Sequence, residues 1–355
     1  MRRPRGVDLV SRQAEEEIDM ALSITGAGSL LVRIPTAMFP IALGLAGLGA
    51  VSKSAAVAMT LPELSSIGFG LLILSGGILA IDVLLYFVKL IRHRSEVVDD
   101  LSMATRANLL APGLMAAMVI GGMLSDQWAL GPIIWAIASG LHLVLLLAFV
   151  GRWLTHDYAP SALNPTWFLP AAGIMTSAMT WPHYGPSAVP LFLFGAGLML
   201  WVMLLPLVFR RLVFEPAVTP ELRPTLFIIA APFGLASGAL LTLFPEVDWR
   251  APFLLLSGGT FVIAALVAQT SFIRKAGITL SWWATTFPVA VVASQFFRLT
   301  DRAGDAALYL GIALFALAGV TTSVAVIATI RAAWCTCAKT VAQTERQIER
   351  MQGCE

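Results

Sequence analysis

Apolar residues fill long runs of this chain, and short segments between the runs carry most of the charged residues. A run of about 20 apolar residues is long enough to cross a bilayer as an α-helix. Open strands are not expected at that depth, because their backbone groups would lack hydrogen-bond partners. Ten runs fit this description, and we number them spans one to ten: about 34–52, 67–90, 107–124, 128–151, 166–182, 188–209, 224–243, 252–273, 279–297 and 304–330.

The composition favours a protein embedded in the membrane over a soluble one. Of the 355 residues, 58% are hydrophobic and 12% are charged, whereas soluble proteins carry about 25% charged residues. The loops are short, so consecutive spans are expected to pair as antiparallel hairpins. We therefore predict an all-α integral membrane domain at 31–333, preceded by a cytosolic segment at 1–30 and followed by a cytosolic tail at 334–355.

The basic residues predict the orientation, since cytosolic loops of membrane proteins are rich in Lys and Arg. With a cytosolic N-terminus, 18 of the 23 Lys and Arg residues fall in cytosolic segments. The outer loops then hold 4, which are Lys53, Arg250, Arg298 and Arg302. We expect a multi-pass protein of the cell membrane with both termini in the cytosol.

Every odd-numbered span contains a proline among small residues, at Pro40, Pro112, Pro170, Pro232 and Pro288. A proline inside a helix removes one hydrogen bond and kinks it, and the released group must be satisfied by protein or water. The even spans have prolines only near their ends. This predicts five hairpins built on one repeating unit, with the odd helices in an inner ring and the even helices in an outer ring. Such a ring surrounds a central pore, or it packs without one.

The odd runs hold no Asp, Glu, Lys, Arg or His, although cation pathways and proton-coupled carriers usually carry titratable groups. Their hydroxyl groups can donate hydrogen bonds to an anion without holding it as a full positive charge would. The pore-lining candidates are Thr36, Thr176, Ser177, Ser237, Thr286 and Ser294.

Charged residues outside the odd runs allow two interpretations each. Arg106 and Arg223 lie where odd spans begin, so they attract anions to an inner mouth or serve only as positive-inside anchors. Asp82 in span two and His142 in span four are intramembrane titratable groups. They couple transport to protons, or they pair with another helix, a protomer or a backbone group.

Enzymatic chemistry finds no support in the sequence, which has no phosphate loop, metal box or nucleophile arrangement. Cys335 and Cys337 lack nearby His residues or a second Cys pair, so we expect neither a metal nor a cofactor. The net charge of +2 gives no reason to expect nucleic acid.

Several motifs in fixed order carry a family resemblance. They are PTxxFxIxLGL from Pro35, YxxKL from Tyr86, NPxxFLP from Asn164, FGAGxxxW from Phe194 and WWATTFP from Trp282. In these motifs the chain resembles the tellurite-resistance/dicarboxylate transporter family. The likeness is to its TehA-like branch, which is related to the plant slow-type anion channels.

The resemblance implies quasi-fivefold symmetry around the pore, a homotrimer, and a pore occluded by a phenylalanine of span nine, here Phe287. Ala37 and Pro40 stand where similar sequences often have Gly, which leaves the pore width near span one open. We expect an anion channel or uniporter for small anions that is gated by Phe287. The alternative is an ion-coupled secondary carrier for C4-dicarboxylates, tellurite-like oxyanions or sulfite.

Overall fold

The protein is almost entirely helical. The computed structural model describes residues 36–352 with the exception of 184 and 186, so the segment predicted at 1–30 lies outside the described residues. Helices account for 85% of the structure, and the described part contains no strand. The prediction of an all-α protein is confirmed.

The even-numbered spans are continuous α-helices. Span six contains Pro206 within its helix, and the helix of span ten continues past the boundary predicted at 333. The five helices are Pro62–Arg92, Gly131–Thr155, Ala188–Phe214, Arg250–Ala268 and Asp305–Gln352.

The odd-numbered spans are composite, because each joins two or three helical pieces. Spans one, five, seven and nine begin as 3-10 helices and continue as α-helices. The pieces are Thr36–Met38 and Phe39–Ala58 in span one, Ala104–Asn108 and Ala111–Met123 in span three, Pro165–Trp167, Phe168–Gly173 and Met175–Met179 in span five, Pro220–Ala230 and Ala231–Leu243 in span seven, and Leu280–Thr285 and Thr286–Arg298 in span nine.

The five prolines explain these junctions. Pro40, Pro112 and Pro232 are the second residues of their α-helical pieces, and Pro170 and Pro288 are the third. In the first turn of an α-helix the backbone N–H has no partner within that helix, so a proline there costs little. Each proline thus begins an α-helical piece instead of interrupting one.

Burial separates the odd spans from the even ones. In the part of the chain that the structure describes, eight helices are long and apolar enough to cross a membrane, and they belong to all the spans except five and nine. In the most apolar 18-residue stretch of each helix, the buried share of residues is 61% in span one, 61% in span three and 78% in span seven. The corresponding share in the even spans is 17–33%. Spans five and nine, although shorter or less apolar, are also buried along nearly all their α-helical residues. The odd spans therefore lie inside and the even spans outside.

Helix contacts connect the odd spans in a cycle. Span one contacts span three, three contacts five, five contacts seven, seven contacts nine, and nine contacts one. Each odd span also packs against the even span that follows it. The N-terminal pieces of the five odd spans contact one another in a ring, so these spans run in the same direction, and one cavity lies beside these pieces. We call this end of the bundle the cavity end and the opposite end the far end.

Phenylalanine rings fill gaps that glycines leave on neighbouring helices. At four glycines, a methyl group added in place of hydrogen would lie 2.7–3.0 Å from a ring atom. The pairs are Phe39 with Gly113, Phe233 with Gly258, Phe287 with Gly47, and Phe297 with Gly311. We call these contacts the glycine notches. Because each ring occupies the space of a missing side chain, the helices approach each other closely.

Candidate functional site

A small cavity of about 30 Å³ lies where the odd spans converge. All five odd spans contribute to its wall, and no lining residue carries a charge or a hydroxyl group. Four of the five junction prolines line it, namely Pro40, Pro112, Pro232 and Pro288. In span five the neighbours of Pro170 take this place, with Leu169, Ala172 and Gly173 on the wall.

Phe287 belongs to the wall of this cavity, and 4% of its surface is exposed. Its ring also rests in the glycine notch of span one, where a Cβ added to Gly47 would lie 2.9 Å from Phe287 Cδ2. The neighbouring Pro288 begins the α-helical piece and shares the wall. The ring thus lies between a helix contact and an apolar cavity, which is a hydrophobic setting for a bulky group at the bundle centre.

The six hydroxyl residues predicted to line a pore do not line this cavity. None of them is on the wall of the apolar cavity, and all are buried. Ser177 donates to the Ile174 carbonyl oxygen at 2.8 Å, and Thr286 donates to that of Trp283 at 2.8 Å. These two hydroxyls therefore satisfy the backbone of their own spans.

The other four hydroxyl residues differ in their partners. Ser294 Oγ lies 2.8 Å from Ser54 Oγ and joins span nine to span one. The hydroxyls of Thr176 and Ser237 are buried, and neither has a hydrogen-bond partner among the described residues. Thr36 is buried at the start of the first 3-10 helix.

The two predicted inner-mouth arginines are placed at the cavity end but not on the cavity wall. Arg106 has a side chain that is 55% exposed, and it lies 3.4 Å from Asp100. Asp100 also holds Lys89 of span two at 2.6 Å in a buried ion pair. Arg223 stacks on the Phe272 ring at 3.9 Å and donates to the Phe272 carbonyl. Arg106 is therefore the more accessible of the two predicted residues.

Asp82 and His142 do not hydrogen-bond to each other. Both carboxylate oxygens of Asp82 are buried without a partner among the described residues. His142 Nε2 lies 3.1 Å from the Pro170 carbonyl oxygen, and because a carbonyl only accepts, Nε2 carries the proton. The amide of Ile174 bonds to Ala172 instead of Pro170. An outer helix thus supplies the hydrogen bond that the broken span five lacks.

The far end of the odd spans carries a cluster of polar and basic side chains. Arg298 Nη1 donates to Gln295 Oε1 at 3.0 Å and to the Gly238 carbonyl at 3.3 Å, and Nη2 donates to Thr242 Oγ1 at 3.0 Å. Lys53 lies within the helix of span one, not in a loop, and donates to the Met123 carbonyl at 2.9 Å.

Helical spacing connects this polar end with the cavity. Gln295 follows Pro288 by two turns of span nine, and Arg298 is one further turn along the same helix. In the sequence, these two residues can be identified by following the helix face of the proline onward at 3.6 residues per turn. Among the described residues, no group of three His, Cys, Asp or Glu side chains is placed to hold a metal ion.

Comparison with known proteins identifies the family of this chain. Residues 33–336 match the SLAC1 family, which is described as voltage-dependent anion channel. The chain belongs to this family. It is 26% identical over 267 residues to the tellurite resistance protein TehA homolog of Haemophilus influenzae, covering 74% of this chain and 80% of that protein.

Other relatives of this SLAC1-family protein are more distant or are matched over less of their length. An uncharacterized transporter of Methanocaldococcus jannaschii, MJ0762, is 22% identical over 282 residues, covering 72% of this chain and 82% of that protein. The S-type anion channel SLAH2 of Arabidopsis thaliana is 26% identical over 196 residues, covering 55% of this chain and 38% of that protein. The predicted family is confirmed, and it is a family of membrane channels and transporters.

Proposed function

We propose that this SLAC1-family protein is a gated channel or uniporter for small anions. Ten spans form five hairpins with quasi-fivefold symmetry, and the odd spans surround a central pore. Phe287 is the gate. The observation that carries this proposal is the cavity itself, because all five odd spans share its wall and Phe287 is part of it.

The physical case rests on the apolar wall. A hydrated anion loses hydration energy on entering a narrow space with no polar group, so such a constriction blocks ions by excluding water. The wall of the cavity has no charge and no hydroxyl group that could replace the lost water. Moving the Phe287 ring widens this space without changing the rest of the wall.

The predicted orientation places the cavity end in the cytosol. Arg106 with its exposed side chain then attracts anions to the inner mouth, while Arg223 has the lesser part because it is held on Phe272. The Thr176 hydroxyl is buried and has no hydrogen-bond partner among the described residues, so in an opened pore it would be a donor for an anion. We also propose a homotrimer in the cell membrane, with the exposed apolar side chains of the even spans against lipid or a neighbouring protomer.

Planar-bilayer recording of the purified protein tests the proposal, with wild type and Phe287→Ala compared under chloride and nitrate gradients. Phe297→Ala is the matched control. Phe297 lies on the same span, is equally buried at 4%, and sits in a glycine notch against span ten instead of the cavity wall. Each truncation costs about 3–5 kcal/mol of stability, so both variants carry a similar structural burden.

We expect a large gain of anion-selective current for Phe287→Ala and none for Phe297→Ala. Equal currents from the two variants would assign the effect to loosened packing and not to a gate. Absence of current from every variant would overturn the channel proposal.

One observation favours a second candidate, an ion-coupled carrier for C4-dicarboxylates, tellurite-like oxyanions or sulfite. Asp82 holds a buried carboxyl group that no described residue bonds, which suits a site that gains and loses a proton. His142 is less suited, because its protonated nitrogen is committed to Pro170. Proton-coupled uptake into vesicles that disappears in Asp82→Asn would favour the carrier over the channel.

A further inference from the structure

A band of polar side chains from spans one, seven and nine lies at the far end of the odd spans, opposite the apolar cavity. We call this band the collar, and its members are Lys53, Ser54, Thr242, Ser294, Gln295 and Arg298. All of them are buried or half-buried. Ser294 is the one collar residue that was predicted as pore-lining from the sequence.

Contacts of the collar connect neighbouring odd spans. Span one reaches span three through Lys53 and the Met123 carbonyl, and it reaches span nine through Ser54 and Ser294. Arg298 of span nine bonds to Thr242 of span seven at 3.0 Å. Side chains thus join spans one, three, seven and nine at the far end.

Span five closes the remaining gap of the collar. Thr242 donates from span seven to the Met179 carbonyl of span five at 2.9 Å. Gln295 Nε2 lies 3.5 Å from Met179 Sδ. Gly122 of span three lies against Thr180, since an added Cβ would be 2.2 Å from the Thr180 carbonyl oxygen. Polar or close contacts therefore join each odd span to the next.

The charge of the collar is positive. Lys53 and Arg298 are its two ionised groups, and the oxygens they bond to, as given above, are neutral carbonyls, an amide and a hydroxyl. Asp126, beyond the end of span three, acts electrostatically on Lys53, but it forms no ion pair with it within 4.0 Å in the described part of the chain. Two basic side chains at this end of the odd spans attract anions and repel cations.

The collar and the cavity are separate along the pore axis. Arg298 follows Phe287 by 11 residues in one α-helical piece, which corresponds to about 16 Å at 1.5 Å per residue. An ion crossing the bundle meets the apolar cavity and the polar collar one after the other. Removing the Phe287 ring leaves the collar in place.

We propose that the collar is a second constriction in series with Phe287 and that Lys53 and Arg298 determine its preference for anions over cations. This inference rests on the proposed function, since it requires a pore through the odd spans. The plainer interpretation is that the collar only clamps the helix ends, with Arg298 placed favourably at the C-terminal end of its helix. The two interpretations differ in what happens to ion selectivity when a charge is removed.

The test measures reversal potentials in planar bilayers under a potassium chloride gradient, with every variant built on Phe287→Ala. Arg298→Gln and Lys53→Gln each remove one charge from the collar. Arg298→Lys keeps the charge but loses the planar fork that bonds two groups at once. Arg302→Gln is the control, because Arg302 is exposed one turn beyond Arg298 and outside the collar. Gel-filtration elution confirms that each protein remains assembled.

We expect Arg298→Gln and Lys53→Gln to lower the anion-to-cation permeability ratio by about tenfold, with Arg302→Gln unchanged and Arg298→Lys close to the parent. An unchanged ratio in both glutamine variants would overturn the collar proposal and leave the channel proposal standing. If Phe287→Ala is silent but Phe287→Ala with Arg298→Gln conducts, the collar is confirmed as a second constriction. If every variant is silent, the proposed function fails and the collar fails with it.

Discussion

Gly47→Ala is expected to strain the Phe287 ring directly. The Cβ of the new alanine would lie 2.9 Å from Phe287 Cδ2, whereas carbon atoms in good contact are about 3.5–4.0 Å apart. The ring must therefore move by about 0.6 Å or more. Away from span one the ring has the cavity to move into, so the alanine is predicted to press Phe287 further across the cavity and to reduce any wild-type current.

The energetic effect follows from the same distance. Overpacking of this kind costs about 1–3 kcal/mol. In a Phe287→Ala background the ring is gone, and the same change gains about 0.5–1 kcal/mol because alanine favours the helix over glycine. The sign of the Gly47→Ala effect should thus reverse between the two backgrounds. A double-mutant cycle then gives a coupling energy of about 1.5–4 kcal/mol between the two positions.

Chemical denaturation of the purified protein in detergent, followed by tryptophan fluorescence, measures the four corners of the cycle. Gly44→Ala is the matched control. Gly44 lies on the same helix, but its added Cβ would meet Thr286 Oγ1 at 2.3 Å and Trp283 Cε3 at 2.8 Å. It should remain destabilising in both backgrounds. Equal destabilisation by Gly47→Ala with and without the Phe287 ring would refute the packing on which the gate proposal depends.

Two further predictions concern the helices around the pore. His142→Ala leaves the Pro170 carbonyl without its donor and should lower the free energy of unfolding by about 1–3 kcal/mol. His142→Gln should recover part of this loss. Thermal unfolding measures both variants, and equal midpoints for His142→Ala and wild type would contradict the prediction. Lys89→Met breaks the buried ion pair with Asp100, 2.6 Å long, and should lower the free energy of unfolding by about 3–5 kcal/mol. Adding Asp100→Leu should restore most of this loss. A double variant no more stable than Lys89→Met alone would contradict the prediction.

Span positions could be predicted from the sequence because hydrophobic length depends on the bilayer and not on tertiary detail. Span three was expected at 107–124 and is Thr105–Met123, and span eight was expected at 252–273 and is Arg250–Ala268. The inner position of the odd spans could be predicted from their prolines, because a broken helix in the membrane needs protein around it to satisfy its backbone.

Side-chain directions could not be predicted, because local and distant contacts compete for the same groups. The Thr286 hydroxyl turns back to the carbonyl three residues earlier, as hydroxyls in helices often do. Arg223 finds its partner at Phe272, 49 residues away. The division of span five into short pieces depends on His142 of another helix. The hydrophobic pattern of the sequence predicts none of these contacts.

The glycine notches restrict how the bundle can change shape. A ring seated in a notch fits only at that height along the neighbouring helix. The positions one turn above and below carry side chains or, at Gly44, are already filled by Thr286 and Trp283. Sliding span nine along span one would drive Phe287 out of the space at Gly47, and sliding it along span ten would do the same to Phe297 at Gly311. Rotation of the Phe287 side chain about its own bonds disturbs neither register, so opening is expected to be a rotamer change within a rigid barrel.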